Sequence, residues 1–181
     1  EVFPFIKNLS GTEDSTYSQH MKDARFTIPT PALLAKVVDL LADVNMDDQD
    51  TKGDIYEYML GKIAAAGQNG QFRTPRHIIK MIVDLMQPKP TDTICDPACG
   101  TAGFLVAASE YLNDHHATEI FANPEAAKRF SEETFFGYDF DSTMLRIGSM
   151  NMMLHGVENP SIENRDSLSE AHSHIESKYS L

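Results

Sequence analysis

From Thr93 onward, short apolar runs alternate with longer helical runs, and this alternation limits the fold more than any other feature of the chain. Thr93–Cys95, Thr134–Tyr138 and Ser161–Asn164 read as strands, and Tyr179 opens a further one. Residues 102–113 and 142–155 read as helices, with a polar segment and a short helix over Asn123–Glu132. Strands separated by helices form a mostly parallel sheet with helices on its faces. Such sheets bind ligands outside the carboxyl ends of their strands. The predicted class is therefore α/β.

Ahead of Thr93 the pattern is helical. Residues 1–28 read as irregular, with Ser10–Gln19 a Ser/Thr/Gly loop. Thr30-Pro31 reads as a helix start, Thr capping and Pro first in the helix. Leu34, Val37, Val38, Leu41 and Val44 then mark one face. Asp47–Asp54 is an acidic link. Ile55, Tyr56, Met59, Leu60 and Ile63 mark a second helix ending near Gly67. Gln68–Phe72 is a turn. Thr74-Pro75 repeats the cap-then-proline start of a third helix, marked by Ile78, Ile79, Ile82, Leu85 and Met86 and stopped by Pro88 and Pro90. Each apolar face is expected to pack in a core. The organisation is a helical region, 1–67, followed by a ligand-binding region, 68–181. The chain does not begin with Met and ends at what reads as the start of a strand, so it reads as cut from a longer protein.

Composition narrows the class. Apolar residues make up 41% of the 181, ordinary for a globular protein, and no run approaches the ~20 apolar residues of a membrane span. No secretory signal is visible, so Cys95 and Cys99 read as reduced thiols of a cytoplasmic protein. A disulfide between them would strain their turn, and two ligands are too few for structural zinc. The net charge of −12 argues against this chain gripping nucleic acid alone.

The chemistry concentrates where the strands end. After Thr93–Cys95 come Asp96, a tight turn with Pro97, Gly100 and Gly103, and the helical run Phe104–Leu112. A turn of this kind brings backbone N–H groups and a helix N-terminus to a ligand. Asp139 follows the second strand and Asp166 the third. Asp after a strand is common turn chemistry, but a parallel sheet sets all three along one edge. Carboxylates repel a pyrophosphate and accept from hydroxyls and amines. Cys-Gly-Thr-Ala-Gly also lacks the dinucleotide pattern G-x-G-x-x-G, and no Gly-Lys-Ser/Thr is present. S-adenosylmethionine fits better. Its sulfonium, ammonium, ribose diol and adenine amine suit acidic partners, and its carboxylate suits helix N-terminal amides.

Asp96-Pro97-Ala98-Cys99-Gly100-Thr101-Ala102-Gly103-Phe104-Leu105 resembles motif I of the amino-methylating DNA methyltransferases. Gly70-Gln71-Phe72-Arg73-Thr74-Pro75-Arg76 resembles their motif X. The order X before I is similar to the gamma class, which methylates adenine N6. The longer run from Gly53 through Leu105, with the helices before it, resembles the modification subunit of type I restriction-modification systems. The resemblance covers about Phe26 to Leu168. It implies a partial Rossmann-like class I methyltransferase sheet with helices on both faces, of which 68–181 is the front part. It implies that Gln71, Phe72, Thr74 and Pro75 contact the methionine moiety, with Arg73 and Arg76 flanking it. Asp96, Gly100, Thr101, Ala102 and Gly103 would form the motif I turn, Asp139 would hold the ribose hydroxyls and Asp166 the adenine amine. The implied partners are DNA, reached through the complete complex, a specificity subunit and a second methyltransferase subunit, with a restriction subunit left open. The family's catalytic Asn-Pro-Pro-Phe is absent from these residues, so the implied activity belongs to a longer protein and this chain alone is expected to bind cofactor at most. A non-catalytic cofactor-binding or assembly module is the alternative.

Three features stay outside that reading. His115-His116 sits at an expected helix end, where histidines cap carbonyls. Glu170, His172, His174 and Glu176 fall in a polar segment and read as solvated, so no metal site is expected. Met144, Met150, Met152 and Met153 read as core of one helix.

Overall fold

The computed structural model describes residues 2–9, 15–42, 58–59, 62, 74–170 and 178–181. Helices α1 (Val2–Lys7), α2 (Thr16–Met21), α3 (Pro31–Ala42) and α4 (Arg76–Met86) precede β1 (Ile94–Asp96). Then come α5 (Gly103–Ile120), α6 (Pro124–Glu132), β2 (Phe135–Asp139), α7 (Ser142–Leu154) and β3 (Ser161–Asn164). The fold is α/β with a parallel sheet in the order β1-β2-β3. The end of the chain adds to its free edge. Leu181 N–H donates to the Thr93 carbonyl (3.3 Å) and Cys95 N–H donates to the Leu181 carbonyl (3.0 Å), a parallel bridge beside β1. The chain thus steps outward from β1 to β3 and returns to the other side of β1. Ligand sites gather where strand order reverses in this way.

The register sets the depth of the site. Asp96 pairs with Gly137 and Asp139 with Asn164, so β2 runs two residues past the end of β1. That is about 7 Å along the strand. The turn after β1 fills this step.

One face of the sheet carries the core. Ile94, Phe135 and Ile162 pack with Leu105 and Leu112 of α5, Phe130 of α6, and Leu145 and Met152 of α7. Removing side chains of this size from water contributes about 1.5–3 kcal/mol each. The opposite face is aromatic. The Arg165 guanidinium lies 4.0 Å over the Tyr138 ring and the Lys178 ammonium 4.9 Å over the Phe136 ring. Burial, and after it the hydrogen bond that the Tyr138 and Tyr179 hydroxyls share, push the Tyr138 phenol upward. Among the described residues, the helices that build the core all lie on the first face.

Several expectations need correction. Residues 1–28 are not irregular throughout: α1 and α2 form there, and α2 overlaps the expected loop Ser10–Gln19. Ser15 supplies the cap, its Oγ accepting from Ser18 N–H (3.1 Å), so the serines start a helix rather than a loop. Tyr17, Met21 and Ala24 form a second cluster with Ile6, Met150 and Met153. The four methionines therefore do not share one environment: Met152 is core, Met150 and Met153 meet the N-terminal helices, and Met144 lines a cavity. His20 Nε2–H donates to the Ile162 carbonyl (2.7 Å) and Arg146 Nε donates to the His20 carbonyl (3.0 Å), tying α2 to β3 and α7.

α3 begins as expected, with Thr30 Oγ1 accepting from Leu33 N–H (3.3 Å). Its apolar face is not core, however; no residue of α3 is buried, and Leu40 is 68% exposed. Periodicity says which face favours cover, not what covers it. In α4 only Ile79 and Val83 are buried, and Pro75 occupies the N-cap position in place of Thr74. The second helix predicted over 55–67 falls almost wholly outside the described residues. α5 runs past 113 to Ile120, because Ile120 is buried in the core and carries the helix through a kink at His116 (φ −132°). Asp96 is the last residue of β1 rather than the first after it. No helix among the described residues is long and apolar enough to cross a membrane.

Gly137 is the tightest point of the core. A Cβ there would lie 2.7 Å from Ile162 Cδ1, 3.0 Å from Cys99 Sγ and 3.1 Å from Leu105 Cδ1. Gly137→Ala is expected to cost about 1–3 kcal/mol, read as a lower urea midpoint at unchanged slope.

Candidate functional site

The turn after β1 is held from inside and from β2. Asp96 Oδ1 accepts from Ala98 N–H (3.0 Å), closing the first step. Cys99 N–H donates to the Tyr138 carbonyl (2.9 Å) and Ala102 N–H to the Cys99 carbonyl (2.7 Å). Gly100 has φ +51°, a conformation open to glycine at no steric cost, and nothing lies within 4 Å of where its Cβ would be. Ala102 takes φ +61° without that freedom and is fully buried as the N-cap of α5. The left-handed region costs an L-residue roughly 1–2 kcal/mol.

Asp139 joins this turn to the neighbouring strand. Its Oδ2 accepts from Gly100 N–H (2.9 Å) and its Oδ1 from Asp141 N–H (2.8 Å). Asp141 in turn caps α7, its Oδ1 accepting from Thr143 N–H (2.6 Å) and Met144 N–H (3.3 Å). Two helices, α5 and α7, therefore begin beside the same carboxylate. The first-turn N–H groups of Gly103, Phe104 and Leu105 find no acceptor among the described residues. They give this end of the site positive character.

Between these elements lies a cavity of about 530 Å³. Asp96, Ala98, Cys99, Gly100, Thr101, Gly103, Phe104 and Asp139 form its floor and rim, with Thr74, Ile79 and Met144 as further walls. Of the residues singled out from the sequence, Thr74, Asp96, Gly100, Thr101, Gly103 and Asp139 come together here. Ala102 is buried beneath them. Pro75 and Arg76 do not line the cavity, and Arg76 pairs with Glu110 of α5 (3.0 Å). Asp166 is exposed and closes its own turn, Oδ1 accepting from Leu168 N–H (3.0 Å). Gln71, Phe72 and Arg73 lie outside the described residues, as do His172, His174 and Glu176. Ile79 and Met144 were not singled out from the sequence as site residues. The signal for Met144 was the cap: Asp141 before Ser-Thr-Met fixes Met144 in the first turn of α7.

Charge in the cavity is negative. Burial, and secondarily the charge of Asp139, push the Asp96 carboxyl above its ordinary value, while the Ala98 N–H works the other way. Burial, with Asp96 nearby, pushes the Cys95 thiol up to about 11 and Cys99 up as well. Both are free thiols, protonated at neutral pH and poor nucleophiles. The histidine pair has local partners: His115 stacks on Tyr111 (4.1 Å) and its Nδ1 bonds the Tyr111 carbonyl, while His116 faces Glu119 (3.7 Å). No cluster of three or more metal-ligating side chains forms among the described residues.

The cavity thus lies at the ends of β1 and β2, with Asp96, Ala98, Cys99 and Gly100 of the turn on one wall and Asp139 of β2 beside them. The model of the family described as N-6 DNA methylase matches residues 47–180. The chain belongs to the N-6 DNA methylase family. The type I restriction enzyme EcoEI methylase subunit of Escherichia coli is 30% identical over 168 residues, covering 88% of this chain and 33% of that protein. The StySPI methylase subunit of Salmonella potsdam is 32% identical, covering 87% and 32%. A modification subunit assigned to a type I restriction enzyme of Vibrio vulnificus superposes with a TM-score of 0.75 at 29% identity, covering 98% of this chain and 37% of that one. The chain spans about a third of the length of the curated relatives it matches.

The raised Asp96 carboxyl has a stability consequence. A carboxyl whose value is higher folded than unfolded favours the native state fully below the unfolded value, and that advantage is lost as pH rises through the folded value. Asp96→Asn keeps an acceptor for Ala98 N–H and removes the buried charge. Its Tm is expected to exceed that of the wild type at neutral pH, with the gap narrowing as pH falls through the carboxylate range, followed by circular dichroism.

Proposed function

We propose that this chain forms the cofactor-binding part of a DNA adenine-N6 methyltransferase, the modification subunit of a type I restriction-modification system, with S-adenosylmethionine as methyl donor. The observation that carries the reading is the charge layout of the cavity. The carboxylates of Asp96 and Asp139 and the first residues of α5, Gly103 and Phe104, line the same cavity. A ligand with cationic and hydroxyl groups and one carboxylate matches both kinds of group, whereas a pyrophosphate would meet Asp96 and Asp139.

The residues then divide the work. Asp139 accepts from the ribose hydroxyls through the lone pairs that Gly100 and Asp141 leave open, since a carboxylate has about four acceptor sites. Asp96 faces the cationic end. Gly103 and Phe104 present backbone amides to the carboxylate. Thr74 and Pro75, with Gln71, Phe72, Arg73 and Arg76, flank the methionine moiety. Asp166 takes the adenine amine, on the loop whose Ser167 hydroxyl donates to the Pro97 carbonyl (2.6 Å). Bound cofactor supplies the electrophilic methyl group. The groups that receive adenine belong to an Asn-Pro-Pro-Phe motif that these 181 residues do not contain. Residues 1–67 serve as a helical region and 68–181 as the front of the methyltransferase domain. The whole protein would work in the cytoplasm on DNA, with a specificity subunit, a second modification subunit and, in a restricting complex, a restriction subunit.

Calorimetry with S-adenosylmethionine and with NAD tests this. S-adenosylmethionine is expected to bind and NAD not to, and Asp139→Ala to weaken binding about tenfold or more, the loss of one or two charge-assisted hydrogen bonds. Affinity is expected to fall as acid protonates Asp96. NAD binding in place of S-adenosylmethionine overturns the reading.

A further inference from the structure

We infer that Asn151, with the gap left at Gly148, positions the cofactor turn from behind; this rests on the cofactor reading above. Met144, Gly148 and Asn151 are spaced four and three apart, so they form one stripe of α7. The stripe runs along the turn. Met144 lines the cavity. At Gly148 a Cβ would lie 3.1 Å from the Gly100 carbonyl oxygen and 3.4 Å from Ala102 Cβ, so the absent side chain lets α7 approach the turn. Asn151 is fully buried, and its Nδ2 donates to the Thr101 carbonyl (2.9 Å).

A buried amide in an otherwise apolar stripe is costly unless it is hydrogen-bonded. Here its bond goes to the carbonyl that leads into Ala102, the residue held at φ +61°. The direction of that carbonyl fixes the plane of the 101–102 peptide, and with it the point where α5 begins. Gly103 and Phe104, the first residues of α5, line the cavity. Asn151 itself is not among the cavity residues, so it acts through the turn and not on a ligand. An apolar residue of equal size would fill the same space and leave the Thr101 carbonyl without this donor.

Asn151→Leu keeps the volume and removes the donor. Gly148→Ala keeps the donor and pushes a methyl group toward the Gly100 carbonyl. The two variants reach the turn by different routes, and Ala in place of Gly favours a helix, so a loss of affinity in Gly148→Ala cannot be laid to a weaker helix. The test is calorimetry with S-adenosylmethionine on the 181-residue chain, beside urea unfolding and amide spectra of the ligand-free proteins. Both variants are expected to bind about tenfold more weakly or worse, while still folded at the temperature of measurement, with shifted Gly100 and Gly103 amide resonances. Variants that unfold more easily but bind like the wild type, with those resonances unmoved, would overturn the positioning role and leave the cofactor reading intact. A wild type that binds no S-adenosylmethionine overturns the cofactor reading, and this inference with it. If Asn151→Leu does not fold, Gly148→Ala decides the matter by the same two readouts.

Discussion

The Asp139 carboxylate organises this structure. One oxygen holds the Gly100 amide in the turn after β1, and the other holds the Asp141 amide ahead of α7. A carboxylate accepting from two backbone donors is a strong, directional clasp. It joins the second strand to the turn of the first and sets where two helices start. It also places a second negative charge beside Asp96, which burial has already pushed toward the protonated form. Shape and charge in the cavity thus share one origin: the group that shapes the turn also selects against anionic ligands.

Around that clasp the chain supplies rigidity in layers. The sheet core of Phe135, Ile162, Leu105 and Met152 fixes the strand ends. The N-terminal helices brace α7 through Tyr17, Met21 and Met150, and through the bonds of His20 and Arg146. On the far face, Arg165 and Tyr138 pack where the chain leaves β3, and Ser167 then reaches back to Pro97. A site carried on strand ends and helix starts, each anchored in a packed core, is held more closely than one built on free loops.

How much of this was legible follows from what each signal measures. The strand–helix alternation after Thr93 gave the α/β class, and β3 at Ser161–Asn164 matched residue for residue, although Ile162 is its one buried residue. Asp96 and Asp139 were legible as neighbours because a parallel sheet lines up strand ends. Asp166 was placed by the same logic; it sits two residues past β3, and one of its oxygens accepts from Leu168 N–H. The helices near the N-terminus were missed because Ser15 and its neighbours look alike as loop and as cap. Gly148 and Asn151 were invisible, since a glycine and an amide in a methionine-rich helix acquire meaning only from the carbonyls opposite them.

Membership of the N-6 DNA methylase family fits this arrangement of a parallel sheet with a cavity at its strand ends. The central claim is that the turn is preformed by Asp139 before any ligand arrives. Hydrogen exchange of the Gly100 amide in the ligand-free chain tests it most directly. If the clasp holds, this amide exchanges as slowly as the paired amides of β1 and β2. Exchange at the rate of an open loop would contradict it.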